Sequence, residues 1–178
     1  CYYRSAFVQW KGLTMSHVKY IDKTRDYYLS QGYEKPYAWA HFDDVPFARL
    51  NKPLSEARIS LVSTSDVTVR GSEDGGNHAD ELFTGNVYSI PAGTPTDQLY
   101  SRQDHYDKYA TNLDDVDSYF PITRLHEAAA AGRIGSVADR VHGVFTAYSQ
   151  RRTLTVDGPE VLARCREDGV DAVVLTPV

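Results

Sequence analysis

From Arg58 onward the apolar positions fall in short unbroken runs, a pattern that fits strands buried on both faces better than strands with one wet face. Ile59 to Val62 is such a run, closed by Ser63-Thr64-Ser65-Asp66, and Ala172-Val173-Val174-Leu175 is another, followed by Thr176. Two helical segments share one grammar. Pro121 opens Ile122-Thr123-Arg124-Leu125-His126-Glu127 and four alanines, with Gly132 as the stop. The second has Asp157 as N-cap, Pro159 in the first turn, Val161, Leu162 and Cys165 on one face, and Gly169 as terminator before the second strand. Helix, glycine, then continuous apolar strand predicts an α/β fold: a parallel sheet with helices on both faces, doubly wound and flavodoxin-like. In such sheets ligands bind beyond the carboxyl ends of the strands, where both runs end in hydroxyl residues. Residues 66–118 are polar and rich in glycine and aspartate, and read as a long loop with a functional reason to exist.

The first fifty positions differ in kind. They hold 12 of the 21 aromatic residues, among them Tyr2, Tyr3, Trp10, Tyr27, Tyr28, Tyr37, Trp39 and Phe47. Helical spacing places Val18, Ile21, Arg25 and Tyr28 on one face, ended by Gly32 and Pro36, and Pro46 and Pro53 then punctuate extended chain. The division expected is an aromatic-rich arm over 1–51 and an α/β domain over 52–178. The arm either packs on its own domain or grips a partner; tyrosine supplies contact area with a polar tip in both cases.

Composition narrows the function. With 178 residues the chain can bury a core without disulfides or a structural metal. Its formal net charge of -5 argues against nucleic acid or anionic lipid as partner. Cys1 and Cys165 have neither zinc-site nor redox-pair spacing, which suits a reducing, cytoplasmic setting. No apolar run is long enough to span a membrane. A Rossmann fingerprint, a P-loop and a nucleophile elbow are all absent after the two strands.

The richest polar cluster is Asp104-His105-Tyr106-Asp107, followed by Asn112, Asp114, Asp115 and Asp117. In extended chain His105 and Asp107 point to one side, so imidazole and carboxylate could share a proton or a metal ion. The other aspartates suit local backbone turns. His78 is a further possible ligand, His126 reads as a surface histidine, and His142 as structural.

Taken together, Lys52-Pro-Leu-Ser-Glu-Ala-Arg-Ile-Ser-Leu-Val-Ser-Thr64, Asp104-His-Tyr-Asp107, Asp115-Val-Asp-Ser-Tyr-Phe-Pro-Ile-Thr-Arg-Leu125, Gly132-Arg-Ile-Gly135 and Glu167-Asp-Gly-Val-Asp-Ala-Val-Val-Leu-Thr-Pro177 resemble the selenoprotein B family of glycine, sarcosine, betaine and D-proline reductases. The resemblance runs from Lys52 to Val178. It implies reductive cleavage of a carbon-nitrogen or similar bond by a thiol or selenol, the nucleophile being a selenocysteine or cysteine just past Val178. A thiolate there would gain from a helix N-terminus, whereas Cys165 reads as a small buried hydrophobe. Asp117 departs from the family, which commonly has asparagine there. On this reading Ser63, Thr64 and Thr176 position a small zwitterionic or anionic substrate, and His105, oriented by Asp107, moves the proton. The protein would be part of a homo- or hetero-oligomer, with no cofactor required by the sequence. Two other readings stand beside it: a metal-dependent enzyme using His78, His105 and Asp107, and a non-catalytic subunit that binds a partner through the aromatic arm. The last strand, expected in a sheet interior, further predicts that the fold continues beyond Val178.

Overall fold

A computed structural model describes residues 19–36, 40–46, 48–71, 86–103, 106, 108–109 and 111–177. It divides into two compact units, Cys1–Val45 and Pro46–Val178. In the first, helix α1 (Tyr20–Ser30) buries no residue. Val18 lies outside the described residues, and of the expected face Ile21 and Tyr28 are exposed. Edge-to-face tyrosines stabilise the helix end instead: Tyr27 on Tyr28 at 5.7 Å and Tyr28 on Tyr33 at 5.4 Å between ring centres.

The second unit is built on a mostly parallel sheet. Strand β1 (Arg58–Ser63) lies at its centre. Along one side β1 pairs first with β5 (Ser136–Val137) and then with β6 (Arg140–Val144), and along the other with β7 (Ala172–Thr176), every pairing being parallel. Strand β3 (Val87–Pro91) closes the far edge antiparallel to β6. A separate antiparallel pair joins β2 (Val67–Val69) to β4 (Leu99–Ser101). The stretch expected as one long loop therefore carries three strands. Its Asx turns are also real: Asn112 accepts from the Asp114 N–H and Asp115 from the Asp117 N–H.

Residues alternate across the sheet, so its two faces receive different partners. Ile59 and Leu61 point to the side of helix α2 (Ile122–Ala130), where Leu61, Val67, Ile90, Phe120, Ile122 and Val141 form the main core and Ala57, Ile59 and Ile134 a smaller one. Full burial of a side chain such as Leu61 stabilises by roughly 1.5–3 kcal/mol. Asp117, where the reductases that the sequence resembles commonly have asparagine, accepts the Thr123 N–H at 2.9 Å and so caps α2, a task asparagine performs equally well. Gly132, at φ 68°, ends the helix where the left-handed turn was expected.

The second helical segment begins earlier than its sequence suggests. Ser149 accepts the Arg152 N–H and is the N-cap of α3 (Gln150–Arg152), which continues through a π turn (Thr153–Asp157) into α4 (Gly158–Glu167). Asp157 is thus not an N-cap; it has helical angles, φ -67° and ψ -45°, and is buried. The wider π turn lets the chain carry Pro159, which has no N–H and would crowd the carbonyl four residues earlier in a regular helix. Cys165 faces inward as expected, whereas Leu162, set off around the helix, is exposed. Gly169 at φ 65° and the Val170 N–H bonded to the Cys165 carbonyl complete the expected stop. Among the described residues no helix is long and apolar enough to cross a membrane.

Candidate functional site

The carboxyl ends of β1, β6 and β7 meet at one edge, with Ser63 opposite Thr176 and Val62 opposite both Leu175 and His142. This is the juxtaposition predicted from the apolar runs. Between these ends and the α3–α4 segment lies a crevice of about 470 Å³, within the range of small-molecule sites. Its walls are Val62, Val144, Val161, Leu175 and Pro177; Thr64, Thr146, Thr153 and Thr176 supply hydroxyl groups, and Asp157 supplies a carboxylate. Among the described residues no aromatic side chain contributes.

The predicted residues divide at this edge. Thr64 and Thr176 line the crevice, and the Thr64 N–H donates to the Thr176 carbonyl at 3.3 Å. Ser63 is buried beneath them, its oxygen 2.6 Å from Ser65 Oγ, 3.1 Å from the Tyr119 carbonyl and 3.2 Å from the Thr176 carbonyl. With one O–H and two lone pairs, that hydroxyl is fully occupied in tying β1, β7 and the segment before α2 together. His78, His105 and Asp107 lie outside the described residues. Among the described residues no group of three His, Cys, Asp or Glu could hold a metal ion.

Asp157 is the feature that sequence reasoning misplaced. It is 2% exposed, and its Oδ1 has no hydrogen-bond partner; Arg152 Nε stands 3.2 Å away as an ion pair without completing a hydrogen bond. The signal available was Pro159 two residues on: a cap was the simplest reading, and a π turn leaves no mark in the spacing.

A second polar cluster holds α4 to the sheet. Arg164 donates to Ser89 Oγ at 2.8 Å, and Ser89 Oγ lies 2.9 Å from His142 Nδ1. On the other side of the ring His142 Nε2 stands 3.4 Å from Asp168, an ion pair when the imidazole is protonated. Asp168 is held by Arg140 Nε at 2.8 Å, and Arg140 also pairs with Glu167. Burial pushes the His142 pKa below its usual value; Asp168 pulls it up and Arg140 and Arg164 push it down. Cys165, alongside, is buried, and its thiol is pushed up chiefly by desolvation. His126 is exposed and shares a 2.8 Å hydrogen bond with the Ala92 carbonyl beside an open hollow of about 550 Å³.

No family profile matches the chain, and no solved structure matches it. A glycine reductase complex component B subunit gamma from Carboxydothermus hydrogenoformans is 30% identical over 138 residues, 76% of this chain and 31% of that protein. The chain therefore spans about a third of the length of this relative.

Proposed function

We propose that the second unit is a substrate-binding domain of a thiol- or selenol-dependent reductase related to the glycine, sarcosine, betaine and D-proline reductases, with the strand-end crevice as its substrate site. The observation that carries this is the crevice itself: three parallel strands end together beside a helical wall, where a doubly wound, flavodoxin-like domain binds its ligand. The distant glycine reductase relative, a subunit of a complex, supports the same reading and suggests assembly with other subunits. Thr64 and Thr176 orient the substrate by hydrogen bonds, and Ser63 below them keeps the two strand ends in register. A thiolate or selenolate attacks the substrate carbon, the carbon-nitrogen bond breaks with its electron pair going to nitrogen, and His105, oriented by Asp107, supplies the proton to the departing amine.

The test is to incubate the full-length protein with isotope-labelled glycine, sarcosine, betaine or D-proline and a dithiol, and to follow the cleaved product by mass spectrometry. Cleavage of one substrate, lowered at least a hundredfold by His105→Ala with the fold intact by circular dichroism, is expected. No cleavage of any of the four, together with a stoichiometric metal ion that His105→Ala removes, would replace this reading with the metal-dependent one.

A further inference from the structure

We infer that Arg102 is a positioning residue for the substrate: its guanidinium clamps together the two strand-end loops that carry Thr64 and Thr146, and so fixes the spacing of those two hydroxyl groups in the crevice. The inference rests on the crevice being the substrate site. Thr64 follows β1 and Thr146 follows β6, neighbouring parallel strands, and both residues line the crevice. Past the strand ends the ladder no longer sets how the loops lie. Each loop turns through a non-glycine residue in the left-handed region, Asp66 at φ 51° and Tyr148 at φ 49°, in both cases two residues beyond its threonine. Such backbone is strained and persists only where surrounding contacts hold it.

Those contacts form a closed ring through Arg102. The residue follows β4, which runs antiparallel beside β2, and its N–H donates to the Asp66 carbonyl at 3.1 Å. Its Nη2 donates to Asp66 Oδ1 at 2.8 Å, the two side chains being 14% and 4% exposed. The same guanidinium lies over the Phe145 ring, 5.1 Å from its centre, and Phe145 is the residue before Thr146. Phe145 in turn stacks on Tyr88, whose hydroxyl oxygen accepts the N–H of Val67, the neighbour of Asp66. A nearly buried cation is a poor device for stability alone, since apolar side chains of similar volume fill such a place at less cost. Its Nε is buried and makes no hydrogen bond, which adds to that cost. What the guanidinium supplies is geometry: a planar fork holds a carboxylate by its edge and an aromatic ring by its face at once, which a lysine ammonium does not.

The experiment records the threonine methyl signals of the full-length, ¹³C-methyl-labelled protein with Arg102→Gln and with Arg102→Lys, alongside the labelled-substrate cleavage assay and urea unfolding. Both substitutions are expected to move the Thr64 and Thr146 methyls while leaving that of Thr153, on the π turn, in place. Both should lower kcat/KM about a hundredfold, the scale of a small misplacement within a site. Arg102→Lys, which keeps the charge, is expected to recover the unfolding midpoint and not the methyl positions. Unmoved methyls with a lowered midpoint, or methyl positions fully restored by lysine, would overturn the inference and leave the reductase reading standing. Absence of cleavage by the unaltered protein would overturn that reading, and the methyl positions then decide the clamp alone. Should Arg102→Gln fail to fold, Arg102→Lys carries the test.

Discussion

Gly143→Ala is the substitution whose cost the fold specifies most directly. Gly143 lies opposite Tyr88 across the antiparallel β3–β6 pair, and the Tyr88 ring lies over the glycine. A Cβ at position 143 would sit 2.5 Å from Tyr88 Cε1 and closer still to Cζ and Oη. To restore ordinary contact the ring must withdraw by about 1.5 Å. It has little room: it stacks on Phe145 at 4.6 Å, and its hydroxyl oxygen accepts the Val67 N–H at 2.8 Å. Overpacking of this kind costs about 1–3 kcal/mol, and loss of the hydrogen bond to a part-buried N–H adds about 1 kcal/mol. A total of about 2–4 kcal/mol is a large share of the stability of an ordinary domain. Urea unfolding followed by far-UV circular dichroism measures it, with Gly93→Ala as control, since nothing lies within 4 Å of a Cβ there. The decisive arm is Tyr88→Ala, in which Gly143→Ala should be neutral or slightly stabilising. An equal cost with and without the tyrosine ring would refute the reasoning.

Two further outcomes follow from the cluster beneath α4. Since burial lowers the His142 pKa in the folded state, the unfolded chain binds more protons just below pH 6.5; the stabilisation is complete above that pH and is lost as the pH falls toward the folded value. The slope from this one group is at most about 1.4 kcal/mol per pH unit, and His142→Asn should flatten the urea midpoint against pH over that window. Cys165, buried and with its thiol pushed up, should react with a thiol reagent only on unfolding, so that its modification rate tracks urea unfolding; rapid reaction in native buffer would contradict its placement.

Much of this architecture was legible in the chain. The apolar runs at Ile59–Val62 and Ala172–Leu175 became neighbouring parallel strands, but only the first is buried as continuous hydrophobicity predicts; Val173, Val174 and Leu175 are exposed on β7, which among the described residues pairs with β1 alone and so lies at the sheet edge rather than in the interior expected of it. Gly132 and Gly169 ended helices because only a residue without Cβ takes a positive φ at no cost. These are local rules, acting within one turn or one strand. The short strands β2, β3 and β4 obey no such rule: three to five residues beside polar neighbours carry too little periodicity, and their pairing is decided by partners as distant as β6. Asp157 shows the same limit at the site. Its sequence neighbourhood fits a helix cap as well as a π turn, and what chose between them was the wall of the crevice, where the earlier cap at Ser149 and the packing of α4 on the sheet carry the aspartate inward. The chain's own pattern thus determined the two apolar strands, the main helices and which strand ends would meet, since apolar runs and backbone freedom are written residue by residue; which polar groups face one another across that edge was decided only in three dimensions, because partners such as Ser63 and Thr176 lie 113 residues apart.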